Sequence, residues 1–223
     1  MLKAKRKIKK KEIKQDKFVT YYFKTLDFYN QYKKEVHYGL IGLVAIFVLG
    51  FYIVNSKKAA EQKASVELAR AKAAFANENY DAAIDILTAL VENFSSTRSA
   101  GVGTIFLARA YFAKKEYEQA ETYFRKYLDD YDDDPILSLA AAEGIAATYD
   151  QRGDYAKAAE LYEKAARKYK DSFKAPELLL AAGRCYKMAG NTADARRVFE
   201  ELVKNYEKSQ VVNDAKMYLA ELR

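Results

Sequence analysis

The residue types that most often carry catalysis or hold metal ions are scarce in this sequence. Its 223 residues include one histidine, His37, and one cysteine, Cys185. One His and one Cys cannot supply the four ligands of a structural zinc site. A Ser-His-Asp or Cys-His pair would have to use His37, which sits at the edge of an apolar run. We therefore expect no enzyme activity, no metal site and no cofactor.

The only dense group of carboxylates is the acidic run Asp129, Asp130, Asp132, Asp133 and Asp134. Carboxylate oxygens are calcium ligands, but this run falls in a predicted loop between two helices. Helix capping and solvation explain acidic side chains at such a place. The sequence also lacks a glycine-rich phosphate-binding loop. These patterns favour a binding protein.

The formal net charge of +7 is unevenly distributed. Residues 1–37 carry 12 Lys and Arg against 4 Asp and Glu, and residues 38–54 carry none. The remainder carries 26 basic residues (38 − 12) and 27 acidic residues (31 − 4). The bulk of the protein is therefore near neutral, so we expect no specific nucleic acid partner.

The uncharged run over residues 38–54 reads YGLIGLVAIFVLGFYIV. As a helix these 17 residues cover roughly 25 Å, near the lower limit for a membrane span. Flanking lysines can extend their ammonium groups toward water, and Tyr38 and Tyr52 suit the two membrane–water interfaces. The alternative is a buried core helix, but no segment of similar hydrophobicity follows. A cleaved signal peptide is disfavoured because the preceding region is too long and no small-residue cleavage site follows.

The distribution of Lys and Arg predicts how the span is oriented. The N-terminal flank has 12 basic residues, whereas the 20 residues after the span have five. By the positive-inside rule, the N-terminus lies in the cytoplasm and the large domain across the membrane. Aromatic residues before the span recur at helical spacing and predict an amphipathic segment at the interface: Phe18, Tyr21, Tyr22, Leu26, Phe28, Tyr29 and Tyr32. This N-terminal region either contacts anionic lipid, ribosomal RNA or another membrane protein, or serves only as a topology signal.

Beyond the span the sequence repeats. Four short anchors end at Ala83, Ala120, Ala158 and Ala195, so the spacings are 37, 38 and 37 residues. A second small residue precedes each anchor by 12: Ala71, Ala108, Ala146 and Gly183. Such a period indicates a solenoid in which each unit is a pair of helices. Gly153 and Gly190 predict the turns within units, and Asn79, Asp154 and Asn191 predict helix N-caps.

These residues resemble the tetratricopeptide repeat, whose pattern is small-x-x-Tyr, then Gly, then Ala-x-x-x-Phe/Tyr. The resemblance implies an all-α solenoid of helix-turn-helix repeats with a period of 37–38, longer than the usual 34. The predicted organisation has four segments: a basic tail at 1–37, a transmembrane helix at 38–54, a linker at 55–61, and a repeat domain at 62–223 with four units and a C-terminal capping helix.

The layout of basic tail, single span and short repeat domain is similar to that of the YfgM-like family. That resemblance implies an ancillary subunit of the Sec translocon in a bacterial inner membrane, with a periplasmic repeat domain that engages emerging envelope proteins and periplasmic chaperones. The first hypothesis is therefore an anchored scaffold or chaperone-like protein. The alternatives are a signal-anchored receptor with cytosolic repeats and a binder of anionic lipid or nucleic acid acting through the tail.

In this type of repeat the first helix of each unit lines a concave surface that suits extended peptides or helices. The register predicts a mildly apolar groove with basic points. Its expected members are Lys72, Phe75, Ile105, Arg109, Phe112, Glu143, Leu180, Arg184 and Lys187.

Overall fold

The computed structural model describes residues 17–222, and this part of the chain folds as ten helices without a strand. Their bounds are α1 Lys17–Gln31, α2 Lys33–Ala76, α3 Tyr80–Asn93, α4 Arg98–Ala113, α5 Tyr117–Asp130, α6 Pro135–Gln151, α7 Tyr155–Lys168, α8 Ala175–Met188, α9 Thr192–Asn205 and α10 Val212–Glu221. The all-α architecture of helix pairs is confirmed. One compact unit ends at Ser56 and a second begins at Lys57.

The N-terminal unit contains α1 and the apolar part of α2. The lysine-rich stretch over residues 1–16 lies outside the described residues. The aromatic residues predicted to form an amphipathic segment lie on α1 or directly after it, and their side chains are exposed. The most apolar window of α2 has a mean hydropathy of 2.1 and none of it is buried. Within residues 17–222, α2 is the one helix long and apolar enough to cross a membrane.

The linker expected over 55–61 is helical, because α2 continues through it to Ala76. Its sequence, NSKKAAE, contains neither Gly nor Pro, and Ala, Lys and Glu are strong helix formers. From Lys57 onward the helices pair in order along the chain. The end of α2 packs on α3, and the pairs α4–α5, α6–α7 and α8–α9 follow, with α10 packed on α9.

Small residues lie where the two helices of each unit cross, as the spacing predicts. Ala71, Ala108, Ala146, Ala83, Ala120, Ala158 and Ala195 are each 0% exposed. In the last unit, Gly183 takes the place that Ala71, Ala108 and Ala146 have in the first helices of the earlier units. A Cβ on Gly183 would lie 2.3 Å from the Cε1 atom of Phe199, so the aromatic ring occupies the place of a side chain. The repeat register is therefore encoded by side-chain volume at the crossings.

The turns within units follow the predicted chemistry. Asn79, Asp154 and Asn191 each accept a hydrogen bond from a backbone N–H in the first turn of the following helix. Gly153 and Gly190 adopt φ values of 81° and 79°, a region that favours glycine. The equivalent turns of the first two units place Glu78 and Lys115 in the same region, at φ values of 58° and 65°.

An aromatic residue ends the second helix of every unit. These closing aromatics are Phe94, Tyr131, Tyr169 and Tyr206. The Tyr131 hydroxyl donates to the Ser95 carbonyl at 2.8 Å, and the Tyr206 hydroxyl donates to the Lys170 carbonyl at 3.0 Å. Both bonds therefore join the end of one unit to the end of the unit before it. The Tyr169 hydroxyl is buried and makes no such bond within residues 17–222.

We expect the hydroxyl groups of the closing aromatics to differ in their contribution to stability. Tyr131→Phe and Tyr206→Phe each remove one inter-unit hydrogen bond and should lower the free energy of unfolding by about 0.5–1.5 kcal/mol. Tyr169→Phe is the matched control and should cost less than about 0.5 kcal/mol. Urea unfolding followed by circular dichroism measures all three. Equal losses at the three positions would show that these hydrogen bonds do not tie the units together.

Candidate functional site

The first helices, namely the end of α2 together with α4, α6 and α8, form a surface that we call the first-helix face. A cavity of about 510 Å³ opens on this face, and we call it the first cavity. Its lining comes from three successive first helices, from Phe124 of α5 and from Lys174: Phe75, Arg109, Phe112, Phe124, Ala140, Glu143, Gly144, Ala147 and Lys174. Within this lining the Phe124 ring packs directly on Gly144, since a Cβ on Gly144 would lie 2.4 Å from Phe124 Cζ.

The structure brings four of the nine predicted groove residues together in the first cavity. Phe75 of α2, Arg109 and Phe112 of α4, and Glu143 of α6 all line it. Phe112 also packs edge-on against Tyr117, with ring centroids 5.4 Å apart. These four residues therefore lie together, and their role in binding stays a prediction. The lining also includes Phe124 and Gly144, which the repeat register does not predict as groove residues.

The placement of Ile105 in an open groove is wrong. Its side chain is 3% exposed and belongs to a core cluster with Phe124, Ala141 and Ile145. The physical reason is that first helices of neighbouring units touch one another. Ile105 lies on the flank of α4 that meets α6, whereas Arg109 and Phe112 lie toward the cavity.

The three groove residues predicted on α8 lie outside the lining of the first cavity. Leu180 is half-buried against the C-terminal core, and Arg184 is exposed. Lys187 forms an ion pair with Glu221 of α10 and lies over the Tyr218 ring, with its Nζ atom 5.2 Å from the centroid. Glu221 of the capping helix therefore partly neutralises the charge of Lys187.

Two cations next to the first cavity contact aromatic rings. The Nζ atom of Lys72 lies 4.9 Å from the centre of the Phe106 ring. The Arg109 guanidinium carbon lies 5.9 Å from the centre of the Phe75 ring and 5.7 Å from that of Phe106. Both cations are exposed, and neither has a carboxylate within ion-pair distance in residues 17–222. They remain available to an acidic ligand.

A second cavity, also of about 510 Å³, adjoins the first. The start of α6, the end of α7 and the loop before α8 form its lining, which is mostly apolar: Pro135, Ile136, Leu139, Ala140, Glu143, Lys168, Tyr169, Asp171, Ser172, Phe173 and Lys174. Ile136 and Phe173 are 74% and 80% exposed, which is unusual for large apolar side chains in a soluble domain. The repeat pattern of the sequence does not predict this cavity, although Phe173 and Lys174 directly precede α8.

Both cavities share Ala140, Glu143 and Lys174. The Lys174 ammonium group lies 3.2 Å from a Glu143 carboxylate oxygen and 3.4 Å from one of Glu177. Unlike Lys72 and Arg109, this cation is therefore neutralised by the protein's own carboxylates.

The buried carboxylate of Glu163 on α7 accepts hydrogen bonds from residues of α8 and α9 and so links three helices. The Glu163 carboxylate is 8% exposed and accepts hydrogen bonds from Arg197 at 2.8 and 3.0 Å and from the Tyr186 hydroxyl at 2.8 Å. Burial alone would raise the pKa of Glu163, but the bonds from Arg197 and Tyr186 lower it overall. Burial, followed by the hydrogen bond to Glu163, raises the pKa of Tyr186 to about 12.

Groups that could perform catalysis are poorly placed among residues 17–222. Burial raises the pKa of the Cys185 thiol to about 12, so the thiolate is disfavoured at neutral pH. No cluster of three or more His, Cys, Asp or Glu residues in this part of the chain could hold a metal ion. Within the acidic run, Asp134 caps α6 by accepting hydrogen bonds from two backbone N–H groups.

The sequence pattern of the tetratricopeptide repeat-like domain family matches residues 26–223. The chain belongs to this family. Two solved structures share the fold at low sequence identity. One is a Podosopora anserina protein described as a kinesin light chain with nearly identical TPR-like repeats, with 18% identity, a TM-score of 0.58, and coverage of 73% of this chain and 85% of that one. The other is a tetratricopeptide repeat protein from Parabacteroides merdae, with 16% identity, a TM-score of 0.60, and coverage of 73% and 60%. No curated protein sequence matches the chain.

Membership of the tetratricopeptide repeat-like family indicates what kind of site the first-helix face forms. Repeats of this kind are scaffolds for protein–protein interaction, and they are typically non-catalytic. The fold of this chain is therefore that of a scaffold for binding other proteins or peptides.

Proposed function

We propose that this protein is a membrane-anchored scaffold that binds extended segments of other proteins on its first-helix face. The observation that carries the proposal is the first cavity, in which three successive first helices place Phe75, Arg109, Phe112 and Glu143 around one apolar depression. A cavity built from several repeats suits a ligand that runs across them. The ligands in this proposal are secretory or envelope proteins, translocon subunits and periplasmic chaperones.

The anchor in this proposal is the uncharged run over residues 38–54. Two observations support it. The run lies in a helix whose most apolar window is entirely exposed, and that exposure would be costly in water. The family match begins at residue 26, ahead of the run, so the apolar segment lies within the part of the chain that resembles its family.

The orientation follows from charge. With 12 basic residues before the run and five in the 20 residues after it, the N-terminus is cytoplasmic and the repeat domain periplasmic in a bacterial inner membrane. The similarity of layout to ancillary subunits of the Sec translocon supports a role in protein translocation or envelope assembly.

A second candidate function is contact with anionic lipid through the N-terminal segment. The exposed aromatic side chains of α1, such as Phe18 at 77% and Tyr21 at 70%, favour it over binding of RNA. In this role α1 lies in the membrane interface and holds the start of the span. Salt-sensitive binding to anionic vesicles that persists after deletion of residues 57–223 supports this role, and loss of that binding argues against it.

We expect the full chain to behave as an integral membrane protein of defined topology. It should remain in the membrane fraction after carbonate extraction, which releases proteins attached only at the membrane surface. The reason is that the apolar run over 38–54 is buried in lipid. In intact spheroplasts, added protease should digest the repeat domain. Release by carbonate would contradict the anchor, and a protected repeat domain would support the alternative of a receptor with cytosolic repeats.

A further inference from the structure

Two large apolar side chains of the repeat domain are left open to solvent near the starts of its first helices. Ile136, in the first turn of α6, is 74% exposed, and Phe173, in the loop before α8, is 80% exposed. Within residues 57–222 these are the two most exposed of the large apolar side chains. Both line the second cavity, so they lie close to each other. An apolar pair that the fold itself leaves uncovered indicates a contact surface.

Hydrogen bonds place the starts of the first helices along one edge of the repeat domain. Glu61 of α2 accepts bonds from the backbone N–H groups of Arg98 and Ser99 at the start of α4. The Tyr131 hydroxyl, before α6, donates to the Ser95 carbonyl, before α4. The start of α6 and the loop before α8 then meet around the second cavity. We call this edge, which is formed by the loops over 94–97, 131–134 and 169–174, the loop edge.

The loop edge is also the edge at which the chain enters the repeat domain. Lys57 opens this domain, and Glu61 follows four residues later in α2, or roughly 6 Å along the helix. The uncharged run ends at Val54, three residues before Lys57, so at most about 11 Å of chain separates them by any path. With the run in a bilayer, Glu61 therefore lies within about 17 Å of the lipid. The opposite edge lies farther from Glu61 by the length of α4, whose 16 residues span roughly 24 Å.

The charges of the loop edge restrict how it could contact a membrane. The acidic run contributes five aspartates over 129–134, and the segment over 168–174 contributes three lysines and one aspartate. Lys174 is paired with Glu143, and the Lys168 ammonium lies 5.0 Å from the centre of the Tyr169 ring. The loop edge is therefore not a basic patch, and attraction to anionic headgroups would not hold it. A membrane contact here depends on the apolar pair.

We propose that the loop edge rests on the surface of the lipid bilayer and inserts Ile136 and Phe173 at the boundary between headgroups and acyl chains. Lipid is the partner that the short tether supplies at a high local concentration, and insertion removes both apolar side chains from water. The inference rests on the proposed anchor over residues 38–54. This second point of contact restricts rotation of the repeat domain on that anchor.

The test uses the full chain in nanodiscs of pure phosphatidylcholine, with the fluorophore NBD on one introduced cysteine. Cys185 is buried and is replaced by Ala, so that only the new thiol reacts. Lipids with a spin label near the headgroup quench fluorophores at the membrane surface. NBD on Phe173→Cys should be quenched at least about threefold more than NBD on Met188→Cys. Met188 is the matched control, because it is an exposed apolar residue at the opposite end of α8, 63% exposed.

Variants with NBD beside the apolar pair identify the side chains that make the contact. The fluorophore is placed on Asp171→Cys, at an exposed position of the same loop. Adding Ile136→Ser and Phe173→Ser together should lower quenching at position 171 to the level seen at position 188. Lys164→Ser, at an exposed position of α7, is the control and should leave quenching at 171 unchanged. Adding anionic lipid to the nanodiscs should not increase quenching.

A fluorophore on Ile46→Cys, in the uncharged run, separates this inference from the proposed anchor. If lipids that are spin-labelled deep in the acyl chain quench position 46, but positions 171 and 173 are quenched no more than 188, the loop edge does not touch lipid and the anchor stands. If position 46 is not quenched, the anchor and this inference both fail. Quenching at 173 that requires anionic lipid would contradict apolar insertion. A change in NBD emission at 173 in native membrane vesicles but not in pure lipid would show that the partner is a protein and would also overturn the inference.

Discussion

Gly183→Leu should destabilise the repeat domain by about 3 kcal/mol, the upper end of what overpacking a core costs. A Cβ alone at this position would lie 2.3 Å from Cε1 and 2.6 Å from Cζ of Phe199. The Phe199 side chain is 0% exposed and stacks on Tyr218 of α10, with ring centroids 5.2 Å apart, so it cannot move aside without disturbing the capping helix. Urea unfolding followed by circular dichroism measures the loss.

A double-mutant cycle identifies the cause. Phe199→Ala alone removes a fully buried ring and should cost about 3–5 kcal/mol. Combined with Gly183→Leu, the new side chain partly fills the vacated space, so the double variant should be more stable than the sum of the two losses predicts. Ala156→Leu, at an exposed position of α7, is the control and should change stability by less than about 0.5 kcal/mol. Additive losses would mean that α8 and α9 do not meet through this pair.

Glu163→Ala should lower the free energy of unfolding by about 2–3 kcal/mol at neutral pH. The change leaves the Tyr186 hydroxyl without its acceptor and removes the carboxylate that Arg197 and Arg167 share. Glu160→Ala is the matched control on the same helix. Glu160 forms a single solvent-exposed ion pair with Lys157, and its loss should cost less than about 0.5 kcal/mol.

The contribution of Glu163 should depend on pH with a defined sign. Its pKa in the folded protein is lower than the ordinary value of 4.5, so the folded state favours the carboxylate. The stabilisation is fully present above pH 4.5 and is lost as the pH falls through the lowered folded pKa. The stability difference between the wild type and Glu163→Gln should therefore shrink on acidification. A difference that is constant between about pH 7 and pH 3 would contradict the ionised network.

Volume and turn chemistry made the repeat architecture predictable from the sequence. The small residues at the crossings, the N-caps such as Asn191, and the glycines at positive φ recur with the period of the units, and each has a local physical requirement that only a few residue types meet. The cavity residues Phe75, Arg109 and Phe112 could be placed because they lie at fixed offsets from those crossings.

Other features depend on contacts that periodicity does not encode. Glu61 accepts hydrogen bonds from the backbone N–H groups of Arg98 and Ser99 and so caps α4 from a distance of 37 and 38 residues in sequence. The register of α4 alone predicts an open position for Ile105, because it does not specify how closely the next first helix packs against it. The second cavity depends on the loop from Tyr169 to Lys174, whose path is set by its tertiary surroundings rather than by a repeated pattern.

The most direct test of capture on the first-helix face is site-specific photo-crosslinking in intact cells. A photoreactive residue at position 112, inside the first cavity, should trap client polypeptides, translocon subunits or chaperones. The same residue at position 164, on the exposed side of α7, should trap far less. Adding Arg109→Glu to the variant with the probe at 112 should give a lower crosslinking yield than the probe at 112 alone. Equal crosslinking from positions 112 and 164 would contradict the account, because the first-helix face would then be no more a binding surface than the rest of the domain.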